Sequence, residues 1–327
     1  MKQEYTYRKL ERGDLEQLAR LQLAVFSKRR ELAEVKAILE WKYFRNPVGE
    51  VIGSVSVDTD GRIVGVYAGI PLRVQLGDDF SIIYLVVASA VLPEARGRGI
   101  FNELYKNFSI QLSNSDSSRL YIGFPNPLAF AIGGVKFGYH HLLSISKFRL
   151  PLTILDSSVQ LAGISKSREP IKWQYSRAIR SVLNRLPLPK SYKYSSVTPS
   201  FVVTEISNVP EDMSQLWERI RKQYRNTVVR DRNYLIWRLV EQPYVRNRLF
   251  EVRSENVLVG FFALELGEIV QVVDFLCDND PQTISSIVNQ VIVCASQFSE
   301  ARAVDWVVSS QYCMKALLPF APRIVDV

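Results

Sequence analysis

Along the first 150 residues, apolar positions recur either every second residue or every third to fourth, in a fixed order of segments. Tyr5–Leu10 alternates and predicts a strand. Asp14 stands where a helix cap would, ahead of a helical stripe of Leu15, Leu18, Leu21, Leu23 and Phe26. A second helix runs from Arg30 to Tyr43 and ends near Asn46-Pro47. Val51–Val57 alternates, Asp58–Gly61 turns, and Ile63–Gly69 and Leu72–Leu76 predict strands on either side of Pro71. After a hairpin turn at Gly77-Asp78-Asp79 comes an unbroken apolar run, Tyr84–Leu92, that predicts a buried strand. Pro93 stops it, having no N–H to donate. Arg96-Gly97-Arg98-Gly99 follows, and Ile100, Leu104 and Phe108 then open a helix that gives way to a polar loop, Ser113–Ser118. Leu120–Phe124 predicts a strand closed by Pro125-Asn126-Pro127, Ala129 to Phe137 a helix, and His141–Leu150 a last strand.

The second half repeats landmarks of the first. Trp41, with Pro47 six residues on, reappears as Trp237 with Pro243; Val64-Gly65 reappears as Val259-Gly260; the strand and helix of Tyr5–Phe26 reappear over Phe201–Tyr224. An offset of about 196 residues links all three, and a near-constant offset predicts two repeats of one unit. The expected division is 1–150, a linker over 151–200, and 201–327. In the second repeat Ile269–Cys277 predicts the central strand and Ile284–Phe298 the helix. Asp278-Asn279-Asp280-Pro281 joins them with carboxylates and no glycine, which would repel an anion. Trp41 and Trp237 are expected to anchor the core of one repeat each.

A strand, a basic glycine turn and a helix N-terminus form an anion-binding arrangement, because free backbone N–H groups and the helix dipole both favour negative charge. No Lys-Ser/Thr follows the glycines, which excludes the Walker loop, and Asn102 stands where the dinucleotide fingerprint needs its third glycine. Arg96-Gly97-Arg98-Gly99-Ile100-Phe101 instead resembles the pyrophosphate loop of the GCN5-related N-acetyltransferases (GNAT), Arg/Gln-x-x-Gly-x-Gly/Ala, with Phe101 replacing the small last residue. Residues 3–150 also resemble that family in element order, and Gly123–Pro127 followed by Lys136–Tyr139 resembles its last conserved block.

The resemblance implies an α+β fold of two GNAT-like repeats, each a mixed, mostly antiparallel sheet flanked by helices. It implies that the two central strands splay so that the pantetheine arm of acetyl-CoA, or of another acyl-CoA, pairs between them. Val91, Leu92, Arg96, Gly97, Arg98, Gly99, Ile100, Phe101 and Asn126 would hold that co-substrate. Asn126 has a second reading as a helix cap, and Phe101 as a residue packed on the sheet or one narrowing the pocket. The family's usual base and acid fall near Ala88 or Ala90 and at Gly134, none of which carries a proton. Tyr84, Tyr139 and His140, with His141, are the substitutes nearby.

Composition narrows the partners. A chain of 327 residues, 47% hydrophobic, supports two cores. No apolar run is long enough to span a membrane and the charged N-terminus is no signal peptide, so a cytoplasmic location is expected. Cys277, Cys294 and Cys313 fit neither a disulfide framework nor a zinc site, and two histidines make a histidine-based metal centre improbable, so no metal is expected. A net charge of +8 and a pI near 9.3 fit an anionic partner or a merely soluble surface. The basic linker carries an amphipathic stretch, about Ile171–Leu186, that reads either as a membrane-surface helix or as a crossover helix packed on a repeat.

The expected activity is acyl transfer from acyl-CoA to a small-molecule amine, with a nucleotide- or lipid-linked amino sugar of a surface polysaccharide as the acceptor that analogy favours. Two other classes stand beside it: an aminoacyl-tRNA-dependent transferase of the FemAB type, disfavoured because tRNA offers no CoA pyrophosphate, and a non-catalytic CoA-sensing or partner-binding protein.

Overall fold

The computed structural model describes residues 4–26, 30–115, 119–142, 145–152, 201–224, 226–278, 280–308, 311–317 and 322–325. The basic linker expected over 151–200 lies outside them from residue 153 onward. The first part of the chain forms β1 (Thr6–Lys9), α1 (Leu15–Val25), α2 (Leu32–Phe44), β2 (Ile52–Val57), β3 (Ile63–Leu76), β4 (Asp79–Val91), α3 (Ile100–Ser113), β5 (Tyr121–Gly123), α4 (Pro127–Phe137) and β6 (Ser146–Pro151). The second part forms β7 (Phe201–Ile206), α5 (Met213–Ile220), β8 (Asn226–Val228), α6 (Arg232–Leu235), β9 (Asn247–Ser254), β10 (Val257–Glu265), β11 (Ile269–Cys277), α7 (Pro281–Ser296), β12 (Ala303–Val308), α8 (Gln311–Leu317) and β13 (Arg323–Val325).

The strands make two sheets. One has the order β1-β2-β3-β4-β5, with β8 also paired to β3; the other has the order β13-β6-β12-β11-β10-β9-β7. Among the described pairs, only β4 with β5 and β11 with β12 are parallel, each across a helix (α3 or α7) as a parallel connection requires. This is the α+β architecture that the sequence predicts, two mixed and mostly antiparallel sheets flanked by helices in tandem.

The compact units do not follow the linear division at 150 and 201. One comprises Met1–His140 with Tyr224–Val245, the other His141–Gln223 with Arg246–Val327. In the first unit, Leu18, Tyr43, Tyr67, Leu104 and Phe108 share a core with Trp237, which the second part of the chain donates. The two tryptophans expected in separate cores therefore lie in one. Their rings stack 4.9 Å apart; Trp41 Nε1 donates to the Trp237 carbonyl at 2.8 Å, and Trp237 Nε1 to the Trp41 carbonyl at 3.2 Å. Reciprocal contacts of this kind mark a local two-fold relation, here between two positions of one chain.

In the second unit β6, predicted to close the first sheet, lies between β12 and β13. Phe148 and Leu150 enter that unit's core, while Arg149 and Lys147 meet Asp305 of β12 at 2.6 and 3.9 Å. Asp305 is 2% exposed, and a carboxylate so deeply buried needs cationic partners, which β6 supplies.

Two local expectations also change. Pro71 does not divide two strands but sits inside β3, opposite Tyr84. Its carbonyl accepts a hydrogen bond from Asn46 Nδ2 at 2.9 Å, on the side away from β4, between the stretches paired with β2 and β8. The missing N–H points to that same gap, so no ladder bond is lost. Asp14 does not cap α1 with its side chain; it accepts from the Glu11 N–H at 2.9 Å and from Arg8 at 2.6 and 2.8 Å.

Candidate functional site

The first unit carries the site. β4 and β5 pair over only three residues, Tyr84 with Tyr121 through Val86 with Gly123. Beyond Val86, β4 runs on to Val91 with no partner on its β5 side among the described strands, so the two diverge. The opening leads toward the turn before α3. There Pro93–Ala95 makes one tight turn, and Gly97 and Gly99 take φ of 77° and 79°, a left-handed conformation that a side chain disfavours. Arg96 to Gly99 are exposed, whereas Val91, Leu92 and Ile100 are buried. The N–H groups of Gly97, Gly99, Ile100 and Phe101 have no acceptor among the described residues, and they cluster at the N-terminus of a helix of 14 residues. Arg96 Nε donates back to the Val91 carbonyl at 3.1 Å, and an Arg98 guanidinium nitrogen to Tyr5 Oη at 2.8 Å, so both cations are tied beside the turn.

Phe101 packs on the sheet side, 5.4 Å from the Tyr67 ring and 5.7 Å from Phe137. Asn126 caps α4, its side chain accepting the Ala129 N–H at 2.8 Å. Tyr84 lies at the closed, paired end of the opening, and burial raises its pKa. His140 is exposed. Tyr139 is hydrogen-bonded through its hydroxyl to Tyr67, a residue 1% exposed on β3.

That contact belongs to a cluster that the sequence reading missed. Tyr105 on α3 bonds Tyr121 on β5, hydroxyl to hydroxyl, at 2.9 Å, and the rings of Tyr67, Tyr121 and Tyr139 surround that of Tyr105 at 5.7–6.4 Å spacings among the members. Burial first, then mutual proximity, pushes Tyr67 and Tyr121 well above the ordinary phenol range; burial raises Tyr139 as well. Tyr67, Tyr121 and Tyr139 are therefore neutral hydroxyls at physiological pH, able to donate. A second missed feature is Gln22, which interrupts the buried face of α1 at the position following Leu15 and Leu18 by helical spacing. A polar residue on an apolar stripe was the available signal.

The second unit differs where the first has its turn. Asp280 caps α7 by accepting the Thr283 N–H at 2.8 Å, and these backbone and side-chain bonds hold its carboxyl below the usual range. A carboxylate already occupies that helix N-terminus. Among the described residues no cluster of His, Cys, Asp and Glu could hold a metal ion, and no helix is long and apolar enough to cross a membrane.

No curated protein matches the sequence. Three of the solved structures similar in fold illustrate the likeness. A conserved protein of unknown function from Enterococcus faecalis V583 superposes with a TM-score of 0.69 at 11% identity, over 98% of this chain and 70% of that one. A GCN5-related N-acetyltransferase from Anabaena variabilis gives 0.66 at 13%, over 99% and 71%. Saccharomyces cerevisiae N-myristoyltransferase, solved with bound myristoyl-CoA, gives 0.61 at 11%, over 98% and 76%. The model of the acetyltransferase (GNAT) domain matches residues 6–141, the stretch that holds the diverging strands and the glycine turn. Residues 6–141 thus match the GNAT domain in sequence, and the chain as a whole has the fold of the GCN5-related N-acetyltransferases.

Proposed function

We propose that this protein is an acyl-CoA-dependent N-acyltransferase that moves an acetyl group from acetyl-CoA to an amine. The observation that carries this reading is the opening between β4 and β5, which starts at Val86 and Gly123 and leads toward four amides around the start of α3 that have no acceptor among the described residues. Extended backbone edges suit the amides of a pantetheine arm, and convergent N–H groups beside Arg96 and Arg98 suit a pyrophosphate. In the reaction the amine nitrogen bonds to the thioester carbonyl carbon, the C–S bond breaks, the amine gives up a proton and the thiolate takes one. Holding the two reactants in line supplies much of the acceleration in such a transfer. We assign the hydroxyls of Tyr139 and Tyr84 on this domain as candidate proton carriers, and His140 as a third candidate.

An amino sugar carried on a nucleotide or lipid phosphate is the acceptor class we favour, because the +8 balance suits an anionic carrier. Acetyl-CoA as donor places the reaction in the cytoplasm. A second reading, a protein that binds CoA without turning it over, has one observation behind it: β4 bears no carboxylate from Phe80 to Val91.

Calorimetric titration with acetyl-CoA tests the donor site. The wild type is expected to bind, and Arg96→Glu and Gly99→Asp each to weaken binding by about tenfold or more, which corresponds to ~1.4 kcal/mol. An added Cβ at Gly99 meets nothing within 4 Å, so the loss would come from charge and backbone rather than collision. A folded wild type that gives no binding rejects the reading. Binding without thiol release across a panel of amines favours the second one.

A further inference from the structure

Residue 88 of β4 is built unlike the rest of its strand. Val66 pairs with Ala90 and Ala68 with Val87, so Tyr67 alone faces both Ala88 and Ser89. This is a β-bulge, and its first residue, Ala88, has φ of 52°, a left-handed conformation that such bulges usually assign to glycine. The bulge lies two residues past Val86, just inside the opening between β4 and β5. From helix α1, Gln22 reaches it: Nε2 donates to the Ala88 carbonyl at 2.6 Å, and Gln22 is 8% exposed. On the neighbouring strand the Ala68 N–H donates to Ser89 Oγ at 3.4 Å, so the usual ladder bonds are rearranged here.

We propose that Gln22 is a positioning residue for acyl transfer, holding the Ala88–Ser89 peptide turned so that its carbonyl faces α1 and its N–H faces away. The peptide is planar and trans, so fixing the carbonyl fixes the Ser89 N–H in the opposite direction. Turning the carbonyl aside removes a negative dipole from the edge along which a thioester carbonyl would lie. The N–H it leaves behind is a donor fixed before reaction, the kind of group that steadies a developing oxyanion. Core filling alone would not need an amide at position 22, since an apolar side chain of equal length packs as well. This inference rests on the acyltransferase reading above.

The test uses the full chain with Gln22→Met, which keeps length and removes the donor, and Gln22→Glu, which keeps shape and replaces the donor by an acceptor. The first readout needs no ligand: the 13C shifts of Ala88 report the sign of its φ. The second is calorimetric affinity for CoA, and the third is thiol release from acetyl-CoA with water or D-glucosamine as acceptor. Both variants are expected to bind CoA within about twofold of wild type, to lose the positive-φ signature of Ala88, and to release thiol about ten- to a hundredfold more slowly, a share of what a preorganised donor supplies. Adding Ala88→Gly to Gln22→Met is expected to restore part of the rate, because glycine keeps a positive φ without steric cost. Unchanged kcat in Gln22→Met, or an Ala88 that keeps its positive φ without Gln22, overturns the proposal. A wild type that neither binds CoA nor releases thiol defeats the acyltransferase reading instead, while the Ala88 shifts still decide whether Gln22 holds the bulge.

Discussion

Tyr67, Tyr121 and Tyr139 give the first unit a dependence on alkaline pH. Each has a pKa above the ordinary value of 10.0, chiefly through burial. A phenol that keeps its proton more tightly in the folded state contributes stability that is fully present below that ordinary value. The contribution is lost as pH rises beyond it, when the unfolded chain ionises first. Melting temperature is expected to hold steady from neutrality to about pH 9 and to fall steeply above about pH 10. The tyrosinate absorbance of these three residues should appear together with unfolding rather than before it. Tyr139→Phe removes one member and is expected to shallow that fall; equal slopes in variant and wild type would disconnect the cluster from the effect. At this scale the sequence displayed the turn residues Arg96, Gly97 and Gly99 plainly, since glycines between a strand and a helix have few other uses. It hid the tyrosine cluster, because Tyr67, Tyr105, Tyr121 and Tyr139 are far apart along the chain and only packing brings their hydroxyls together.

Among elements, β6 is the instructive one. Its alternation is legible, and Phe148 and Leu150 do face a core, but alternation does not say which core. The choice is electrostatic as well as apolar. Burial raises the Asp305 carboxyl, yet hydrogen bonds and charge from Arg149, with Lys147 adding to them, bring it below its ordinary value. The stability this adds is present above about pH 4 and lost as pH falls through the depressed value. Arg149→Met is expected to cost about 2–4 kcal/mol, because it takes from a buried carboxylate its closer cation and two hydrogen bonds, and pairing it with Asp305→Leu to recover much of that. Denaturant titration of both variants decides it; a single variant as stable as wild type would show that the ion pair does not fix the strand. The matched Val64-Gly65 and Val259-Gly260 of the sequence also find their reason here. A Cβ on Gly65 would meet Leu104 and Ile100 of α3 at 3.0–3.2 Å, and one on Gly260 would meet Ile287 of α7 at 2.7 Å. Both glycines let a crossover helix lie close on its sheet.

For the whole molecule, each unit takes a segment from the other part of the chain. Residues Tyr224–Val245 complete the first and β6 completes the second. Cutting the chain as its linear halves would therefore leave Trp41 without its stacked partner and β12 with β11 on one side but without β6 on the other. Expressed alone, residues 1–150 are expected to be insoluble or loosely folded, and co-expression with 201–327 to yield a soluble complex. A well-dispersed NMR spectrum from isolated 1–150 would contradict this. The sequence by itself determined the order of strands and helices, the two-part plan and the glycine turn, because periodicity, proline and glycine act within a few residues of where they stand. Only the tertiary structure decided that Trp41 and Trp237 share one core, that β6 belongs to the second sheet and that Gln22 holds the bulge at Ala88. Those outcomes depend on which apolar faces and charges meet across long separations, and local pattern carries no record of that.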